Sequence, residues 1–200
     1  MHGVLIEGSE RWNARLGTIY LVLYAGLAYG RCQSNHQRHH RAEATHLDPD
    51  FHPDPQAGII RWYLRFMAGY LSWGQMSRLL GGWAIIGVLI HQGHNVSWGG
   101  TFINVLVCCT VPLLLSSLQL FAFGTYLPHR GQRVVHDQTT HERPTAKSLY
   151  LPEWASLLTC YHFGYHKEHH EKPNIPWFAL PRHRLASRDP MSVALDTSWY

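Results

Sequence analysis

Residues 79–129 contain no Asp, Glu, Lys or Arg, although the 200-residue chain carries 17 basic and 13 acidic side chains. So long an uncharged run has no place in an ordinary soluble domain. It exceeds one crossing of a hydrocarbon core about 30 Å thick and suits two, because each crossing takes about 20 apolar residues. The chain must therefore turn inside it. Turn formers crowd 91–100 (His-Gln-Gly-His-Asn-Val-Ser-Trp-Gly-Gly), with Trp98 where an aromatic ring would meet lipid headgroups. This predicts transmembrane helices over about 77–92 and 102–126, the second kinked at Pro112, which lacks a backbone N–H. A buried hairpin in a soluble protein is the competing reading. The whole-chain mean hydropathy of −0.19 masks the pattern by averaging an apolar middle with two polar ends.

Orientation follows from the basic residues, which collect on cytoplasmic flanks. All 17 lie outside 79–128, so both ends of the hairpin belong to the cytoplasm, and the chemistry before 78 and after 129 shares that compartment. The apolar run 16–30 reaches only about 22 Å as helix, short for a crossing, and is read as an interfacial segment. Residues 61–76, with Arg61 and Arg65 among Trp, Tyr, Phe and Met, read as an interfacial amphipathic helix running into the first span; an ordinary surface helix is the alternative. The expected fold class is all-α: one domain over 1–200, an integral-membrane helical protein with a transmembrane hairpin and a cytoplasmic His-rich helical cap. The tail after Pro181 reads as loosely ordered. At 46% hydrophobic the chain is no disordered acidic segment, and its net charge of +4 fits membrane lipid headgroups and an acidic protein partner, with no nucleic acid expected. The cysteines at 32, 108, 109 and 160 form no Cys-x-x-Cys pair and read as reduced packing residues. The start, Met1-His2-Gly3, has no secretory signal character.

Histidine occurs 16 times, and two clusters stand out. His36, His39 and His40 are spaced i, i+3, i+4, within about a 100° arc of a helix. His162, His166, His169 and His170 are spaced i, i+4, i+7, i+8, again one helical face, with Glu168 and Glu171 pointing elsewhere. Neutral imidazole is a common ligand for Fe, Cu, Zn and Ni. Packed together without a metal, the rings would lack partners for their nitrogens and gather positive charge on protonation. Seven rings exceed the needs of one ion, so two ions are implied. A structural zinc site would draw on cysteine, and the two Glu-x-x-His motifs that a carboxylate-bridged bundle combines are not both present. Nearly all-neutral ligands leave the metal charge uncompensated, a physical basis for forming a strong oxidant from dioxygen. The clusters can meet only if an even number of spans separates residue 40 from residue 162. His2 can join them only if 16–30 does not cross.

Several runs carry a resemblance: Met1-His2-Gly3; His36-Gln37-Arg38-His39-His40 with Leu47-Asp48-Pro49-Asp50; Leu115 through Phe121 into Phe123-Gly124-Thr125-Tyr126-Leu127-Pro128-His129-Arg130; and Thr159 through Glu171, continuing to Pro176-Trp177 and Leu180-Pro181. Over essentially its whole length the chain resembles the membrane-bound fatty acid desaturase and hydroxylase superfamily, most closely its β-carotene ketolase branch. That resemblance implies two Fe ions, O2 as co-substrate, electrons from a ferredoxin-type donor, and conversion of C4 methylene groups of β-ionone rings to ketones, giving echinenone and canthaxanthin. It implies His2 as the second histidine of a first box, His36, His39 and His40 as a second, and His166, His169 and His170 as a third. His162 falls where the superfamily places an additional ligand. The family's first box opens four residues before His2, so the chain is expected to be an N-terminally truncated version. Carotenoid hydroxylation, fatty acyl oxidation on the same scaffold and an inert metal-binding protein are the alternatives.

Lesser candidates remain open. Asp48 and Asp50 either orient imidazole N–H groups or form an Asp-Pro turn. His129, at the end of the second span, either supports the metals or lies among headgroups. His46, His52, His136, His141 and His183 read as solvent-facing, and topology puts His91 and His94 on the far side of the membrane. Phe121, Phe123, Gly124, Thr125 and Tyr126 either line a slot for a carotenoid arriving from the bilayer or pack helices together.

Overall fold

The computed structural model describes residues 2–3, 5–6, 8–54, 56–132, 134 and 146–188, and every regular element among them is helical. The apolar run 16–30 is divided between two helices, α1 (Glu10–Ala25) and α2 (Tyr29–Arg41). The break falls at Gly26, which takes a left-handed φ of 63° and presses on the next helical layer; a Cβ there would stand 3.1 Å from the Gln75 carbonyl oxygen. α1 and α2 pack together, so the chain leaves the N-terminal loop along α1 and returns along α2.

The helix expected over 61–76 is likewise interrupted. α3 spans Ile59–Tyr70, and α4 starts afresh at Trp73 and runs to His94. The Gly69 carbonyl at the end of α3 is captured by Arg31 (2.9 Å) and Asn35 (3.0 Å) of α2, and the Ser72 hydroxyl caps α4 by accepting from the Gln75 N–H at 3.3 Å. α4 turns at Asn95 (φ 52°), and Ser97 caps the next helix. At this turn His91 stacks on Trp98 with ring centroids 3.9 Å apart.

The following helix, α5, runs unbroken from Trp98 to His129 over 32 residues and is the one described helix long and apolar enough to cross a membrane. It packs antiparallel to α4, where Gly87 faces Thr101 and Val105. Two π turns, Leu106–Thr110 and Ala122–Tyr126, widen it. Each directly precedes a residue-proline pair, Val111-Pro112 and Leu127-Pro128, and there the N–H of Val111 or Leu127 reaches back five residues to Leu106 or Ala122. The widened turn absorbs the missing proline N–H, and the helix continues through Pro112, where the sequence predicts a kink. Each adds one residue, which rotates everything downstream by about 100°.

The C-terminal part holds α6 (Glu153–Cys160), α7 (His166–Glu171) and α8 (Leu180–Arg188). The stretch after Pro181 is therefore helical as far as 188. Leu180 is buried, and Arg184 ties α8 to α7 through Glu168 at 3.6 Å. A small core of Ala44, Phe51, Trp62 and Phe121, with Tyr63, Phe66 and Tyr126 against it, joins α3, α5 and the loop after α2. Phe121 and Tyr126 are thus committed to helix packing. Gly124 admits Phe163, whose ring would lie 2.7 Å from a Cβ at that position. The four cysteines are free.

Candidate metal centre

Eight histidines converge as two groups of four. In the outer group, His2, His36, His40 and His169 direct their Nε2 atoms at one another, with His2–His36 at 2.8 Å, His2–His40 and His36–His40 at 3.2 Å, His40–His169 at 3.1 Å and His36–His169 at 3.3 Å. In the inner group, His39, His129, His166 and His170 do the same, with His39–His170 and His166–His170 at 3.1 Å and His129–His166 at 2.9 Å. Within each group all ligand atoms lie within 4.8 Å of one another. His40 and His170 stack across the boundary with centroids 4.3 Å apart, so the groups are neighbours.

Helix geometry explains the division. On α2, His36 and His40 are one turn apart and enter the same group, whereas His39 is turned about 100° from His40 and enters the other. On α7, His166 and His170 form the same-group pair and His169 crosses over. The fourth member comes from elsewhere each time. His2 lies in the N-terminal loop, which the buried Asn13 fastens to α1: its amide donates to the carbonyls of Gly3 (2.9 Å), Ile6 (2.7 Å) and Ser9 (2.8 Å), and its oxygen accepts from Leu5 (3.0 Å) and Ile6 (2.9 Å). His129 comes from the end of α5, turned inward by the second π turn. The segment after 146 bonds to both Pro128 (Lys147 N–H, 3.0 Å) and Gly164 (Leu149 N–H, 2.8 Å), aligning His129 with His166.

Carboxylates stand behind the inner group. Asp48 accepts from His39 Nδ1 at 2.8 Å and from the N–H of Ala44, whose φ of 57° folds the loop back. Glu43 accepts from His170 Nδ1 at 3.1 Å. These bonds leave the lone pairs of His39 and His170 on Nε2, and those two atoms face each other at 3.1 Å. Two lone pairs at that distance repel unless a cation lies between them. An ion bonded to imidazole nitrogens at about 2.0–2.1 Å holds adjacent donors about 3.0–3.4 Å apart, so the donor set fits a metal. Burial, reinforced by neighbouring rings, also holds the basicity down: His36, His40 and His166 lie far below the usual imidazole range, His2 falls to about 4 and His169 to about 3. His39 is the exception. Burial pulls it down, but the hydrogen bond and charge of Asp48, with Asp50 and Glu43 behind, raise it above its ordinary value.

The fatty acid desaturase profile matches residues 1–198. The chain belongs to the fatty acid desaturase family. The β-carotene ketolase of Paracoccus sp. (strain PC1) is 38% identical over 185 residues, 92% of this chain and 70% of the relative. The β-carotene 4-ketolase 3 of Haematococcus lacustris is 35% identical over 189 residues (94% and 56%), and the zeaxanthin 4-ketolase of Chlamydomonas reinhardtii 31% over 192 residues (94% and 40%). No solved structure matches.

In this desaturase-family chain, seven of the eight histidines proposed as ligands from the sequence come together, joined by His129. His162 lies outside both groups. Its assignment to a common face with His166 assumed one continuous helix, but α6 ends at Cys160 and both Tyr161 (φ 47°) and His162 (φ 62°) turn left-handed. The buried His162 ring packs beside Trp177 and Tyr165. Asp50 is bonded to none of the eight converging imidazoles. It accepts from the Tyr70 hydroxyl at 2.8 Å, and burial pushes its carboxyl up to about 6. His52, expected in solvent, is buried near Trp62 and accepts from the Asp54 N–H at 3.1 Å, whereas His46 is exposed and His183 half-buried. His136 and His141 lie outside the described residues. His91 and His94 belong to neither group. Sequence reasoning passed over Glu43, Asn13 and Gln132, which carry no box spacing. For His129 the legible signal was the proline beside it at the end of a long apolar helix.

Proposed function

We propose that the chain is a membrane-embedded di-iron oxygenase that converts C4 methylene groups of β-carotene rings to ketones, using O2 and electrons from a ferredoxin-like donor. The carrying observation is the pair of adjacent four-imidazole groups, in a chain whose relatives are named as β-carotene ketolase, β-carotene 4-ketolase and zeaxanthin 4-ketolase. Two irons bound there would supply the activation of O2 that oxidation of an unactivated C–H bond requires. The protein's part is to hold eight rings with their Nε2 atoms converging, and to orient two of them through Asp48 and Glu43. Phe163 lies against His166 and His169 at 4.9 and 5.0 Å and excludes water from that flank.

In this reading α4 and α5 form a transmembrane hairpin with both ends in the cytoplasm. Apolar side chains such as Ile85, Leu89, Phe102, Val107, Leu114 and Leu115 face outward, where lipid would cover them. A helix of 32 residues is about 48 Å long and outreaches a hydrocarbon core of about 30 Å, so its His129 end stands at the headgroup layer. A polyene dissolved in the bilayer then reaches the irons from the lipid side.

Expression in cells that accumulate β-carotene tests the substrate. Echinenone or canthaxanthin is expected. Hydroxylated carotenoids alone, or unchanged carotene with altered lipids, would reject ketolation in favour of another reaction on this scaffold. The zeaxanthin-acting relative makes a ring already hydroxylated at C3 the second substrate to supply.

A further inference from the structure

We propose that Glu43 is a positioning residue that grips two imidazoles of the inner group at once and makes the two metal positions unequal; this rests on the two-iron reading above. Glu43 follows the end of α2, three residues past His40 and five before Asp48. One carboxylate oxygen accepts from His170 Nδ1 at 3.1 Å. The other accepts from the Gln132 amide at 3.1 Å and lies 3.5 Å from His129 Nδ1. His129 Nδ1 in turn donates to the Gln132 amide oxygen at 3.1 Å, so the side chains of Glu43 and Gln132 form one clasp around two rings. Those rings belong to α5 and α7, and the clasp is the point where the loop after α2 meets both. With Asp48 on His39, three of the four inner rings have Nδ1 tied directly or through one amide to a carboxylate.

The outer group has no counterpart. Among the described residues no carboxylate pairs with His2, His36, His40 or His169. A carboxylate behind an imidazole fixes its tautomer and orientation and raises its donor strength, and losing such a partner lowers metal affinity by about 10–100-fold. The inner ion is therefore the tighter one, and Glu43 acts on it alone.

The full chain in detergent, loaded with ⁵⁷Fe(II), provides the test. Iron loss to a competing chelator is followed alongside Mössbauer spectra. Wild-type protein should release two irons in two phases and show two doublets. Glu43→Gln, which preserves size and removes charge, should weaken binding of the slower iron by about 10–100-fold and change one doublet only. Should that variant fail to fold, Gln132→Ala opens the clasp from its other half and should weaken the same iron. Equal loosening of both irons, or none in either variant, overturns the inference while leaving the two-iron reading intact. Wild-type protein that holds fewer than two irons overturns both.

Discussion

The outer and inner histidine groups use the same two helices in the same way. Each takes an i, i+4 pair from one helix and the i+3 ring from the other, His36 and His40 with His169 in one case, His166 and His170 with His39 in the other. What separates them is the fourth ring and what stands behind the rings. The outer group is completed by His2 on a loop held by one asparagine, and three of its four rings are half-buried. The inner group is completed by His129 at the end of a 32-residue helix, and three of its four rings are buried. The same helical spacing thus yields one more deeply buried and one more open group, and the difference lies in residues outside the boxes.

Removing an inner ring should have the largest effect. His166→Ala is expected to abolish oxygenase activity and cost the inner iron, a loss beyond the roughly 100-fold that a carboxylate behind a ring is worth, whereas His94→Ala, at the far turn, leaves activity within about twofold. Product assays with iron analysis decide it, and equal losses in the two variants would contradict the placement of the site. Next, Asp48→Asn should lower inner-site affinity about 10–100-fold by loosening His39, measured by chelator competition. If it releases the outer iron instead, the assignment of rings to groups is wrong. Asn13→Ala should act on the outer iron only, by freeing the loop that carries His2, and should lower stability by about 1–3 kcal/mol, readable as an earlier thermal transition in detergent.

The smallest effect concerns the metal-free protein. His2 and His169, with folded values of about 4 and about 3 against 6.5, bind fewer protons folded than unfolded. Their contribution makes stability rise with pH, so metal-free protein should melt progressively earlier as pH falls from about 6.5 towards 4. His39 runs the other way, its raised value adding stability on the acid side. Iron-loaded protein should hold its melting point over most of that window; parallel curves with and without iron would break the link between ring neutrality and the site.

Much of this was legible because helical spacing is periodic and metal chemistry is selective about donors. The boxes from α2 and α7 fall where the periodicity places them. The sequence was less informative where local conformation departs from a regular helix. The left-handed pair Tyr161-His162 breaks the face that spacing alone extends to His162, and Gly26 divides an apolar run that looks continuous. His129 needed a π turn to be aimed, a feature with no strong signature beyond the proline that follows it. Glu43 was invisible because a carboxylate supporting a ring from another helix obeys no spacing rule.

Neighbouring residues of opposite allegiance set the distance between the two histidine groups. His39 and His40 are bonded in sequence, as are His169 and His170, and each dipeptide sends one ring to either site. The gap between the two four-ring groups, and between any ions held in them, is therefore gauged by two short peptide units set across from each other like the jaws of a caliper. Breathing of the surrounding helices can tilt that instrument, but widening it would require unwinding a turn of α2 or α7.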